Sequence, residues 1–170
     1  MNFLFRTYQL KTYQLTSLKL TTFMLKDEIV HFILSIIAGV IVGYFMHNWW
    51  AVPIALVSGF LIDADHLIDY FIYKKFRGFD LKEFLSGEFF DRLGKVYVVF
   101  HGYEYAAAAT IFGIIFPNLG WLFFSLALSN FLHLLYDTIA NKPIWPTYFI
   151  TYRLIKNFNH KTFDFKCDNR

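Results

Sequence analysis

The chain has 170 residues, of which 56% are hydrophobic and only 17% charged, and its mean hydropathy is +0.40. A soluble domain carries roughly 25% charged residues, so this balance excludes an ordinary soluble globule and points to a single membrane domain. A net charge of +3 without a basic stripe speaks against a nucleic-acid partner, and one cysteine, Cys167, excludes an intrachain disulfide and a cysteine-rich zinc site.

In chain order, residues 1–23 contain a short near-repeat, Thr7-Tyr8-Gln9-Leu10 and Thr12-Tyr13-Gln14-Leu15. Two readings stand: Met24 is the natural start, or these residues form an interfacial or disordered arm outside the folded domain. Four apolar runs follow, Lys26–His47, Trp50–Tyr73, Val96–Phe116 and Leu119–Ala140. Each has the roughly 20 residues that a helix needs to cross a hydrocarbon core of about 30 Å. The first is too long for a signal peptide, and no small-residue cleavage site follows it. The expected fold is therefore an all-α, four-helix transmembrane bundle spanning residues 24–153.

Between the second and third runs, Asp80-Leu81-Lys82-Glu83-Phe84-Leu85 places Leu81, Phe84 and Leu85 at helical spacing, with Asp80 as a cap. This predicts a short amphipathic helix on the membrane surface. After the fourth run, Pro143-Ile144-Trp145-Pro146 stops the helix. Trp145, Tyr148, Phe149 and Tyr152 then suit the membrane interface, and 154–170 reads as a basic tail.

The cations fix an orientation. Arg6, Lys11, Lys19 and Lys26 precede or open the first run, six lie from Lys74 to Lys95, and six from Lys142 to Arg170. Together these are all 16 Lys and Arg residues, and the two remaining links carry none. By the positive-inside rule the expected orientation has four spans with both termini in the cytoplasm.

Ionisable groups inside such runs are costly and are kept for function. Here they are His31; Asp63, Asp65, His66 and Asp69; His101 and Glu104; and His133 and Asp137. At 1.5 Å per residue, the histidines and their neighbouring acids fall in one layer, roughly 5–12 Å from the cytoplasmic boundary. His133 and Asp137 share a face at i, i+4, His101 and Glu104 at i, i+3, and Asp65 and Asp69 at i, i+4. A bundle can turn all of these toward its centre, where metal sites are built. Imidazole with carboxylate suits a divalent metal, with zinc first and manganese or iron next. The donors are numerous enough for one ion with supporting partners, or for two. Such a site activates water against an ester or phosphoester, with a spare carboxylate as base. His47 and His160 read as ordinary interfacial or solvated residues.

These elements resemble the YdjM-type family of inner-membrane metal-dependent hydrolases. The likeness covers roughly residues 24–153. It rests on His31 followed by Gly39 and Gly43, on Asp63-Ala64-Asp65-His66, on His101, and on His133-x-x-x-Asp137-Thr138 leading to Ile144-Trp145-Pro146. The family often carries a His-Arg-Gly-x-Thr-His-Ser element where this chain has His101-Gly102-Tyr103-Glu104-Tyr105, one histidine fewer. The resemblance implies a membrane-bound hydrolase with a metal site.

The expected metal ligands are then His31, Asp65, His66, His101, His133 and Asp137, with Asp63 or Glu104 as base or supporting partner. The expected substrate is a lipid or another membrane-proximal ester, and the basic link and tail face anionic headgroups. Two other functions use the same residues, proton or divalent-ion transport and a non-catalytic scaffold locked by a structural metal. Transport needs polar groups through the far halves of the runs, which hold almost none. A soluble His/Asp-type phosphohydrolase is disfavoured by the segregated cations.

Overall fold

The computed structural model describes residues 26–86, 88–141 and 146–163. The expected N-terminal arm, Pro143–Trp145 and the tail beyond residue 163 lie outside the described residues. The helices are α1 (Lys26–Phe45), α2 (Ala51–Gly59), α3 (His66–Tyr73), α4 (Leu81–Ser86), α5 (Glu88–Leu93), α6 (Tyr103–Ile115), α7 (Gly120–Asn141) and α8 (Ile150–Ile155). A 3₁₀ turn, Leu61–Asp65, joins α2 to α3, and another, Pro117–Leu119, leads into α7. Among the described residues there is no strand, only an isolated antiparallel bridge between Lys95 and Asn159.

Among the described residues, three stretches are long and apolar enough to cross a membrane: Lys26–Phe45, Ala51–Tyr73 and Pro117–Ala140. The third expected span, Val96–Phe116, holds a helix shorter than its apolar run. Helix α6 has 13 residues, about 20 Å at 1.5 Å each, and residues 96–102 are not helical. The reason is local. Val96-Tyr97-Val98-Val99-Phe100 is β-branched and aromatic, a poor helix start. Its amide groups also find side-chain partners in place of an i→i−4 ladder.

The interior is small and polar where the helices meet. Gly39 lets α1 approach α2 so closely that a Cβ there would lie 2.6 Å from the Cα of Val52. At Gly59, α1, α2 and α7 converge, and a Cβ would lie 1.9 Å from Ser129 Oγ and 2.5 Å from Ser35 Oγ. Ser129 donates to the Ala55 carbonyl (2.6 Å) and Ser58 to the Leu126 carbonyl (3.0 Å), tying α2 to α7. Close approach over small residues with interhelical hydroxyl bonds is how helices associate where apolar surface gives no driving force. The outward faces are apolar instead, with Ile33, Ile41, Ile111, Ile114 and Ile139 exposed.

The expected amphipathic helix is present as α4. Asp80 Oδ1 accepts from the amides of Lys82 (2.9 Å) and Glu83 (3.1 Å), an N-cap that satisfies two orphan donors. Glu83 turns to the end of α3, where Lys74 Nζ lies 2.6 Å away and the Tyr70 and Tyr73 hydroxyls donate to it. The Lys74 hydrogen bond holds the Glu83 carboxyl below its ordinary range. Buried Tyr70 and Phe89 pack edge to face beneath α4. Tyr148, expected at the interface, is buried with Val96, Val98 and Leu134.

Gly59→Ala is expected to destabilise the fold by about 1–3 kcal/mol, the usual cost of overpacking a filled interior. Thermal unfolding in detergent would register this as a lowered midpoint; an unchanged midpoint would mean that the three-helix contact is looser than described.

Candidate metal centre

Each long helix delivers its polar residues near one end. His31 lies in the second turn of α1, and His133 and Asp137 share one face of α7. The 3₁₀ turn between α2 and α3 brings Asp63 and Asp65 into line with His66, which opens α3. His101 comes from the irregular stretch before α6.

The side chains form two adjoining groups, His31 with His133 and Asp137, and Asp63 with His66 and His101. In the first, Asp137 Oδ1 lies 3.1 Å from His31 Nε2, and Asp137 Oδ2 lies 3.2 Å from His133 Nε2. In the second, Asp63 Oδ1 lies 3.0 Å from His101 Nε2 and 3.4 Å from His66 Nε2. The groups touch: His133 Nε2 is 3.2 Å from His101 Nε2 and 3.6 Å from Asp63 Oδ1. The His31 and His133 rings stack with centroids 3.8 Å apart.

All four histidines turn Nε2 inward, and for two of them the opposite nitrogen is anchored. His133 Nδ1 donates to the Gly59 carbonyl at 2.7 Å, which fixes its proton there. His101 Nδ1 lies 3.1 Å from Asp65 Oδ2, a carboxylate oxygen that only accepts, so Nδ1 donates to it. Each Nε2 in turn faces a carboxylate oxygen, Asp63 Oδ1 for His101 (3.0 Å) and Asp137 Oδ2 for His133 (3.2 Å), and a cation at the centre would take the place of the proton between them.

The donor set fits a divalent cation. Ligands about 2.0–2.2 Å from a zinc ion stand about 3.3–3.6 Å apart at tetrahedral corners, and the close separations across the centre here run from 3.0 to 4.0 Å. Buried atoms also lack hydrogen-bond partners, among them His31 Nδ1, Asp63 Oδ2 and Asp65 Oδ1. Buried polar groups are normally satisfied, and the converging donors together could hold a cation. No family model, curated protein or solved structure matches the chain.

Of the expected ligands, His31, His66, His101, His133 and Asp137 meet at the centre. Asp65 stands one step back, bonded to His101 Nδ1 and to the Phe100 amide (2.8 Å), while Asp63 takes the inward place. Helical spacing could not separate these two acids, because the 3₁₀ turn rotates them away from an α-helical arc. Glu104 is placed elsewhere. Its carboxylate accepts from the Ile150 and Thr151 amides, each at 3.0 Å, and from the Thr151 hydroxyl. Asp69 accepts from the Tyr97 and Val98 amides.

Further polar groups border the cluster. Half-buried Glu28, one turn before His31, feels the charges of Asp63, His31, His66 and Asp137. Tyr136 meets the His31 ring edge-on at 5.2 Å and donates to Asp27 at 2.9 Å. Their sequence signal is positional: Asp27 and Glu28 stand at i−4 and i−3 from His31. Wholly buried Arg153 carried no sequence signal, being one cation among several in a basic stretch. Burial lowers the pKa of its guanidinium, while the charges of Asp65 and Glu104 act in the opposite direction.

Detergent-purified protein is expected to retain divalent metal, and His133→Ala or Asp137→Asn to lose most of it. Asp65→Asn should weaken affinity about 10–100-fold, as loss of a histidine's supporting partner does, while His47→Asn leaves content unchanged. Elemental analysis of the four variants beside wild type checks this; equal metal throughout would remove the site.

Proposed function

We propose that the protein is a membrane-bound metal-dependent hydrolase acting on a lipid or another membrane-proximal ester or phosphoester at the cytoplasmic face. The observation that carries this reading is the convergence of four imidazole Nε2 atoms and the carboxylates of Asp63 and Asp137. His31, His133 and Asp137 would hold one ion, and Asp63, His66 and His101 a second or a shared one. A divalent cation in this set supplies Lewis acidity and water activated at neutral pH.

The chain's own residues supply the rest. Asp65 and the Gly59 carbonyl hold the Nδ1 protons of His101 and His133, so that Nε2 of each would be the atom offered to a cation. Asp63 Oδ1 faces the histidines, and Oδ2, buried and without a hydrogen-bond partner, would be the oxygen that accepts a proton from attacking water. His66, about a quarter exposed, and half-buried Asp63 mark the side open to substrate, whereas His31, His101 and His133 are closed off. The resemblance to the YdjM-type family and the cations gathered on one side of the spans support the same reaction at the inner leaflet.

Purified protein assayed on phospholipids and phosphomonoesters should show turnover that chelator abolishes and metal restores. Asp63→Asn should lower it by a factor of about 10² or more, the usual worth of a general base. Metal binding without turnover on either substrate class would leave the structural-metal scaffold as the function, and metal-dependent ion flux in liposomes would move it to transport.

A further inference from the structure

The four histidines are not held alike. His31, His66 and His133 ride on helices, whereas His101 stands in the non-helical stretch 96–102. No i→i−4 ladder fixes the backbone there, and Val98 takes a positive φ of 32°. Buried side chains hold it instead. Asp69 Oδ2 accepts from the amides of Tyr97 (3.0 Å) and Val98 (3.2 Å), and Asp65 from that of Phe100. The carbonyls are gathered by Arg153. Its Nη1 donates to Tyr97 (2.6 Å) and Val98 (2.8 Å), and its Nη2 to His101 itself.

Arg153 belongs to α8, beyond the last long helix, and α8 is seated firmly on this stretch. Glu104 accepts from its first two amides, and the Tyr103 amide donates to the Tyr148 carbonyl (3.0 Å) just before it. Gly102 admits the Ile150 side chain, since a Cβ there would lie 2.6 Å from Ile150 Cδ1. Past α8, the Val96 amide donates to the Phe158 carbonyl at 2.9 Å. A wholly buried guanidinium is costly to keep and is retained where its planar fork meets acceptors that no other side chain serves together.

We propose that Arg153 is a positioning residue of the metal centre: by gathering the carbonyls of Tyr97, Val98 and His101 it fixes the ring of His101 with Nε2 inward, which makes the segment after α7 part of the site. This rests on the metal-centre reading above. Arg153 touches neither metal nor substrate and acts through His101.

The test is zinc affinity by chelator competition, using the full chain in detergent. It compares wild type, Arg153→Gln, Arg153→Lys, His101→Ala and the double variant Arg153→Gln/His101→Ala. Arg153→Gln should bind zinc about 10–100-fold more weakly, as loss of a ligand's supporting partner does. Arg153→Lys should recover part of this, because one ammonium reaches the carbonyls without forking across them. In the His101→Ala background, adding Arg153→Gln should cost nothing further, the signature of two residues acting as one unit. Wild-type affinity in Arg153→Gln, or a loss of equal size with and without His101, would overturn the proposal. If Arg153→Gln does not fold, Arg153→Lys with and without His101→Ala decides by the same comparison. A wild-type protein that binds no zinc overturns the metal centre and this inference with it, whereas tight wild-type binding with an unaffected Arg153→Gln overturns the inference alone.

Discussion

Two carboxylates organise this protein. Asp137 sets one oxygen against His31 and the other against His133, joining the first long helix to the last. Asp63 sets Oδ1 against His66, His101 and His133, joining the break in the second long stretch to the other segments. In a low-dielectric interior neither acids nor imidazoles can be left alone, because an uncompensated buried charge costs several kcal/mol. Each segment therefore supplies what the others require. The apolar helices supply the span, and the polar layer supplies the register at which they meet.

The surrounding packing follows from that register. Gly59 is small because Ser35 and Ser129 come within reach of it, and its carbonyl is open because it lies at the end of α2, where His133 takes it up. The helix thus stops where a ligand's orientation is set. The 3₁₀ turn that follows carries Asp63 and Asp65 on different sides, one toward the centre and one behind His101. In a continuous α-helix these two acids, being i and i+2, would stand about 160° apart around the axis, whereas three residues per turn brings them to about 120°.

The histidines and acids of the centre were legible in the sequence because ionisable residues are conspicuous in apolar runs, and because His133 and Asp137 lie four apart on a true α-helix. The amphipathic α4 was legible for the same kind of reason, with Asp80 as cap and Leu81, Phe84 and Leu85 in period. What depended on departures from α-helix was not legible. Asp63 and Asp65 exchange places because of the 3₁₀ turn, and Glu104 leaves its i, i+3 partner to cap α8, a helix 46 residues away in sequence. The third apolar run reads as a full span on composition, yet its first seven residues give up the helical ladder for partners on other segments. Periodicity reports which face a residue takes when the helix is assumed, and it is silent on where the helix gives way.

That surrender of helix in residues 96–102 has its own logic. A helix offers donors to a given point only at i and i+3 or i+4, so α1 and α7 yield three candidate donors between them. Further donors at the same point call for backbone that can bend, and bent backbone away from water is tolerated only where other groups satisfy its amides and carbonyls. Asp69 and Asp65 take the amides, and Arg153 takes the carbonyls. The two acids come from the same stretch as Asp63 and His66, while the arginine comes from beyond α7. The fourth imidazole is therefore held in place by the second stretch and by the chain's sequel together, and neither alone would fix both sides of that backbone.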